Sequence, residues 1–238
     1  MVEVVFIIYA LYNIKKIITI YRKDTQIYYY PSDKVESVLT QVYGERKILS
    51  VLVSEFMVFY YALFGWFIKE SSFTNSLKFT YHKETMYSIF FWVLFILMVI
   101  ETPIVHYFLS LWNENVAWVV TGLTIYGMVW FIGDYKAIKH YPIRVTKNYL
   151  FIRIGLRIRI DIKLTNIDSI SSSVKEEEKE DYENALLMTK LVSESNVYLV
   201  FKEKVKIKGL FGMEKEIDKV ALYVDEPSRL IEYIKKEK

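Results

Sequence analysis

Cysteine is absent from the 238 residues, which excludes disulfide frameworks and thiolate-bound zinc or iron–sulfur centres. The chain also lacks a Ser-His-Asp constellation, a His-Glu-x-x-His motif and a phosphate-cradling loop. It carries no DNA- or RNA-reading motif, and a net charge of +3 is too mild for a nucleic-acid footprint, so no nucleic-acid partner is expected. No repeat of solenoid period is visible. The start, Met1-Val2-Glu3, has no basic region of the kind that opens a secretory signal, and no small-residue cleavage site follows. One further shortage is local. Met86–Ile100 (MYSIFFWVLFILMVI) and Val116–Gly133 (VAWVVTGLTIYGMVWFIG) hold no charged residue, and Glu101–Asn115 between them holds no Lys or Arg.

A bilayer core is crossed by roughly 20 mostly apolar helical residues, so the two uncharged stretches with their flanks predict a transmembrane hairpin. Leu49–Ile68 (LSVLVSEFMVFYYALFGWFI) is a further span with one acid, Glu55, inside it. The expected spans are therefore about 49–68, 86–103 and 115–134. Residues 3–21 are a fourth candidate: the apolar run Val4–Tyr12 stops at Lys15-Lys16 and resumes as Ile17–Tyr21. Such a helix either spans with its lysines snorkelling or lies in the interface. Pro31–Lys47 sets Val35, Val38, Leu39 and Val42 on one face, the pattern of a surface amphipathic helix. Trp66, Trp92, Trp112, Trp118 and Trp130 mostly fall near predicted helix ends, as interfacial belts require.

Charge divides the chain. Residues 1–134 carry 10 Lys and Arg against 11 Asp and Glu, and residues 135–238 carry 21 against 17. A tail of +4 favours an anionic membrane surface mildly. Lys69, Lys78, Lys83, Lys136, Lys139, Arg144 and Lys147 flank one side of the hairpin and no basic residue flanks the other. The positive-inside rule then makes the chain a multi-pass protein of the cell (inner, cytoplasmic) membrane with a cytoplasmic tail. The Lys/Ile/Tyr-rich, Cys-free composition fits a bacterial source. If the Leu49 segment spans, the basic Arg22–Lys47 region falls outside, against the same rule, and the N-terminal orientation stays open.

From Tyr141 the periodicity changes to that of strands. Tyr149–Ile154, a Gly155 turn and Leu156–Ile162 alternate apolar and charged residues as a half-buried antiparallel hairpin does. Ile167–Ser173, Asn196–Lys202, Val205–Leu210 and Lys219–Val224 read as further strands, and Val174–Glu183 as a charged loop or exposed helix start. Asp225-Glu226-Pro227 opens a final amphipathic helix, Ser228–Lys236, with Leu230, Ile231 and Ile234 inward. The expected fold class is α+β, with an N-terminal transmembrane helical bundle over residues 1–135 and a β-barrel with a C-terminal capping helix over residues 136–238.

The order Tyr141-Pro142-Ile143…Gly155…Ile167…Ile170, followed by Asp225-Glu226-Pro227 before the last helix, resembles the bacterial pleckstrin-homology-like domain. Tyr60-Tyr61-Ala62-Leu63-Phe64-Gly65-Trp66, Phe79-Thr80-Tyr81-His82, Glu101…His106…Trp112 and Ile125-Tyr126-Gly127…Gly133-Asp134-Tyr135-Lys136-Ala137-Ile138 are similar to motifs of uncharacterised bacterial multi-pass proteins that carry such a tail. The resemblance covers most of residues 49–238. It implies a pleckstrin-homology-like fold, an inner-membrane location and, by analogy of fold, surface or scaffold recognition. It supplies no catalytic signature.

Two groups of residues are candidate sites. Glu55, Glu101 and His106 form the first, because an acid within a span must be protonated, paired or turned to the bundle interior, and imidazole titrates near neutrality. Their structural reading is a helix–helix hydrogen bond or a polar helix end. Glu101 and His106 stand five residues apart, a poor helical spacing for joint coordination, although Pro103 between them offers a break. His82 and His106 are 24 residues apart, roughly 36 Å along a straight helix, so they share no metal or haem. No cofactor and no metal are expected. The second group, Lys136, Lys139, Arg144, Arg153, Arg157 and Arg159, is a candidate basic face for lipid head groups, or else ordinary juxtamembrane anchors and a solvated strand face. The acidic run Glu176–Glu183 reads as a solvated loop.

These features lead to two function classes. The first is a non-enzymatic membrane protein whose cytoplasmic β-domain recognises anionic lipid head groups, a protein partner or a second copy of the chain. The second is an intramembrane enzyme or transporter using Glu55, Glu101 and His106. The first needs no convergence of distant side chains and is preferred.

Overall fold

The computed structural model describes residues 2–26, 28–68, 76–83, 86–184, 194–209 and 213–237. It divides into two compact units, Met1–Met57 and Val58–Lys238. In the first, helix α1 (Val2–Lys23) runs unbroken through Lys15-Lys16. Helix α2 (Pro31–Tyr43) starts on the proline, whose missing N–H costs nothing in a first turn, and stops at Gly44, whose φ of 77° ends the helix. Tyr28 joins the two, its hydroxyl donating to Asp24 and accepting from Ser37 Oγ, 2.9 Å each. Val38 of the expected apolar face is buried, as is Tyr30 beside the helix start. Helix α3 (Lys47–Phe64) begins in this unit and ends in the other.

The second unit holds the end of α3 and a short strand β1 (Leu77–Phe79), then the hairpin of α4 (Tyr87–Ser110) and α5 (Glu114–His140). Among the described residues three helices, α3, α4 and α5, are long and apolar enough to cross a membrane. Helix α4 continues through Pro103 to Ser110, so Pro103 does not break it and the link shrinks to three residues. Apolar helices tolerate such a proline when neighbouring groups satisfy the freed carbonyl. Asn113 caps α5, its side-chain oxygen accepting from the N–H groups of Asn115 and Val116 at 3.0 and 3.2 Å.

After α5 come β2 (Ile143–Val145), β3 (Tyr149–Ile154), β4 (Ile158–Lys163), β5 (Ile167–Ser171), β6 (Glu183–Asn184), β7 (Val197–Lys208), β8 (Glu214–Leu222) and helix α6 (Pro227–Glu237). The sheet order is β1-β2-β3-β4-β7-β8-β6, with β5 paired to β7 off that path. All pairings are antiparallel except the two-residue β6–β8 contact. The sheet curls into a half-barrel, and α6 caps it by burying Leu230, Ile231 and Ile234. The β3–β4 hairpin turns at Gly155 as expected, whereas the expected strands 196–202 and 205–210 are one long strand, β7. Leu210 and Lys69 lie outside the described residues.

β1 is the unexpected element. It lies before the α4–α5 hairpin in the chain yet pairs with β2, Phe79 opposite Ile143. Three residues carry too little periodicity to read as a strand. Only the sheet edge supplied by β2 makes them one.

Candidate functional site at the helix–sheet junction

Helix α5 passes from exposed apolar residues such as Val119 and Leu123 to six consecutive buried positions, Gly133 to Ile138. A helix turns a residue to every side within two turns, so such a run is packed all round. On one side stand aromatic rings: Tyr135 stacks on Phe91 of α4 at 3.9 Å between centroids, and Phe91 on Phe131 at 4.6 Å. On another is the end of α3. Gly133 has no room for a side chain, because an added Cβ would meet the Val58 backbone. Small residues allow such close helix approach in apolar bundles. Farther along, His140 Nε2 lies 3.0 Å from the Gly65 carbonyl oxygen and its ring stacks on Tyr61. The ammonium of Lys136 sits over the Trp66 ring, 2.9 Å from its centroid.

The third neighbour is the β3–β4 turn, where the charged groups meet. Asp134 is buried and forms an ion pair with Arg157, 3.1 Å from Oδ2 to Nε. The Leu156 N–H donates to its other oxygen at 3.3 Å, and the Gly155 N–H donates to the Tyr81 hydroxyl oxygen at 3.0 Å. Gly155 has φ +52°, and a Cβ there would strike the Asp134 carboxylate and come within 3.1 Å of Ile138. Both constraints demand glycine. Burial opposes charge on Arg157, but the Asp134 carboxylate together with the neighbouring Tyr87 and Tyr81 phenols outweighs it and holds the guanidinium pKa above its ordinary value. Burial pushes the Tyr81 phenol well up, which keeps it neutral.

The same place ties in the last helix. The Asp225 N–H donates to the Thr80 carbonyl at 2.9 Å, and the Asp225 carboxylate accepts from the Lys83 N–H at 3.2 Å. Phe79, Tyr81, Tyr87, Phe91, Tyr135 and Ile138 belong to one hydrophobic core with the strands and α6. At about 1.5–3 kcal/mol for each fully buried large side chain, these six anchor the half-barrel to the helices.

This geometry redistributes the expected basic face. Arg144 is buried with its guanidinium donating to Ser76 Oγ at 3.2 Å, and Arg153 is buried against Asp161 and the Ile160 carbonyl. Arg157 belongs to the Asp134 pair and Lys136 to Trp66. Lys139 and Arg159 remain half-exposed, Lys139 lying 4.5 Å from the Tyr135 ring centroid. The six residues are mainly internal fasteners because cross-strand and helix-end partners were in reach.

Glu101 and His106 are not gathered either. On the unbroken α4, Glu101 is exposed while the half-buried His106 meets Thr121 Oγ1 at 2.8 Å and Trp118 edge to face. Glu55 belongs to the other compact unit, on a half-buried face of α3. Among the described residues no group of three His, Asp or Glu side chains is placed to hold a metal ion.

The fold and junction define an α+β chain in which three helices long enough and apolar enough to cross a membrane lead into a curled antiparallel half-barrel with a capping helix. Comparison with protein-family models, with curated proteins and with solved structures finds no match for this chain.

Proposed function

We propose that the chain is an integral protein of a bacterial cytoplasmic membrane, with a helical part over residues 1–135 that holds a cytoplasmic, pleckstrin-homology-like domain, residues 136–238, against the bilayer. Its task is recognition, of anionic lipid head groups or of a protein, and not catalysis. The observation that carries this reading is the continuity of α5, one helix that is apolar and mostly exposed or half-exposed before Gly133 and buried against the half-barrel at its end. A domain clamped to its span by an ion pair, a shared hydrophobic core and the close Gly155 contact has a fixed height and attitude at the surface. That suits a reader of surfaces or of other membrane proteins.

The basic tail supports a cytoplasmic face through the positive-inside rule. The intramembrane enzyme or transporter reading finds less support, because Glu101 and His106 diverge on α4. The test is vesicle co-flotation of the full chain, held in amphipol, with phosphatidylcholine alone or doped with phosphatidylglycerol, alongside in-membrane crosslinking from the half-barrel. Flotation with anionic vesicles that weakens with salt supports lipid reading. A specific crosslinked protein supports the partner branch. The absence of both results in a folded, membrane-inserted chain overturns the proposal.

A further inference from the structure

The half-barrel has a split that none of the candidate residues above line. Strand β4 pairs with β7 only at Arg159–Lys208 and Ile160–Ile207, then leaves it, and a turn of 3-10 helix (Leu164–Asn166) leads to β5. Strand β5 takes up β7 again from Ile167–Phe201 onward. Between these partners, residues 202–206 of β7 border an open groove of about 450 Å³. The pairing of β7 with β8 also shifts register between Val200 and Val205. The irregularity leaves Lys202, Glu203 and Lys204 exposed in succession, after which Val205 in and Lys206 out resume the alternation. Bulges re-aim side chains in this way and are frequent beside functional sites.

The groove is held in shape. Asn166 takes the place of the missing strand, its amide donating to the Glu203 carbonyl at 3.0 Å and its oxygen accepting from the Glu203 N–H at 2.9 Å. Lys202 reaches across to the Thr165 carbonyl at 2.9 Å. Lys163, Lys204 and Lys206 border the same space and form no ion pair with any described residue. Of the lining acids, Asp161 is already paired with Arg153, which leaves Glu203 alone against four lysines. Like charges gathered on a short stretch of strand repel one another. A rigid pocket that keeps them together is arranged for a multivalent anion.

We infer that this groove binds a phosphate-bearing anion, held by Lys163, Lys204 and Lys206 with Lys202 and Asn166 shaping the floor. The inference deepens the recognition reading and rests on it. The phosphate comes either from a lipid head group or from a free phosphate compound, and the same lysines would serve both.

The experiment uses the full chain in detergent, titrated with inorganic pyrophosphate by calorimetry, and in amphipol for flotation with phosphatidylglycerol-doped vesicles. The variants are Lys163→Glu/Lys204→Glu/Lys206→Glu and its milder Gln counterpart, with Lys147→Glu/Lys235→Glu/Lys236→Glu as a charge-matched control. All these lysines are exposed, and retained thermal unfolding confirms folding. Saturable pyrophosphate binding that the groove variants weaken at least about tenfold, graded Gln less than Glu, supports the inference with a free phosphate as source. The same loss seen only in flotation supports it with the head group as source. Binding that the control weakens as much as the groove variants overturns the groove and leaves lipid or partner recognition standing elsewhere on the domain. Failure of the wild-type chain to bind either probe also overturns the groove, and in-membrane crosslinking then decides the wider reading separately.

Discussion

The two ends of α5 obey different rules. Toward its start, Val119, Leu123, Ile125 and Tyr126 are exposed, and of the apolar windows of α4 and α5 only 6% and 11% are buried inside the protein. Toward its finish, every residue from Gly133 to Ile138 is buried, an aspartate and a lysine among them. The first end has the length and composition that cross a membrane. The second is built as a protein interior, where charge is tolerated only when paired or laid over a ring. One helix changes surroundings along its length, and the polar residues at the change are structural fasteners.

Removing a fastener should therefore cost far more than changing the exposed half. The largest effect is expected from Asp134→Ala or Arg157→Ala, each leaving a buried partner charge unpaired at about 3–5 kcal/mol. Thermal unfolding of the full chain in detergent reads it, and a Leu123→Ala control should move it little. Next, Gly155→Ala forces a side chain into the Asp134 carboxylate at a positive φ, at a cost of about 1–3 kcal/mol. An unchanged melt would mean the turn does not touch α5.

Tyr81→Phe sharpens the comparison through pH. It strands the Gly155 N–H, for a loss of about 1–3 kcal/mol near neutrality. Because burial raises the folded pKa of Tyr81, its contribution is complete below the unfolded value. Above about pH 10 the unfolded chain ionises first, so wild-type stability falls by about 1.4 kcal/mol per pH unit for this group. The variant should lose that part of the alkaline slope. The smallest effect is expected at Lys136→Met, which keeps the stem packed and loses the cation–ring attraction over Trp66, about 0.5–2 kcal/mol.

Much of this architecture is legible in the residues. The uncharged runs become α4 and α5, and the alternation from Tyr149 to Ile162 becomes the β3–β4 hairpin with its turn at Gly155. The α+β class with a C-terminal capping helix follows from those patterns. The junction was less legible, because ion pairs such as Asp134–Arg157 join residues far apart in sequence and leave no periodic trace. One signal was available: Asp134 is an acid closing an apolar run, and such an acid needs a partner. The quoted motifs supply the rest of the junction. Gly65-Trp66, Tyr81, Asp134-Tyr135-Lys136 and Asp225 all meet around the end of α5. Arg144 and Arg153 look solvated by alternation, while a loop hydroxyl and a neighbouring-strand acid hold them inward.

The most direct test uses the absence of cysteine. Single substitutions Asn113→Cys in the α4–α5 turn and Lys147→Cys in the β2–β3 turn, both at exposed positions, can be labelled with a membrane-impermeant maleimide in sealed vesicles of known sidedness. Labelling of the two positions from opposite faces, with Lys147→Cys on the cytoplasmic one, is the expected result. Labelling of both from the same face would contradict a hairpin that crosses the bilayer and carries the half-barrel on its inner end.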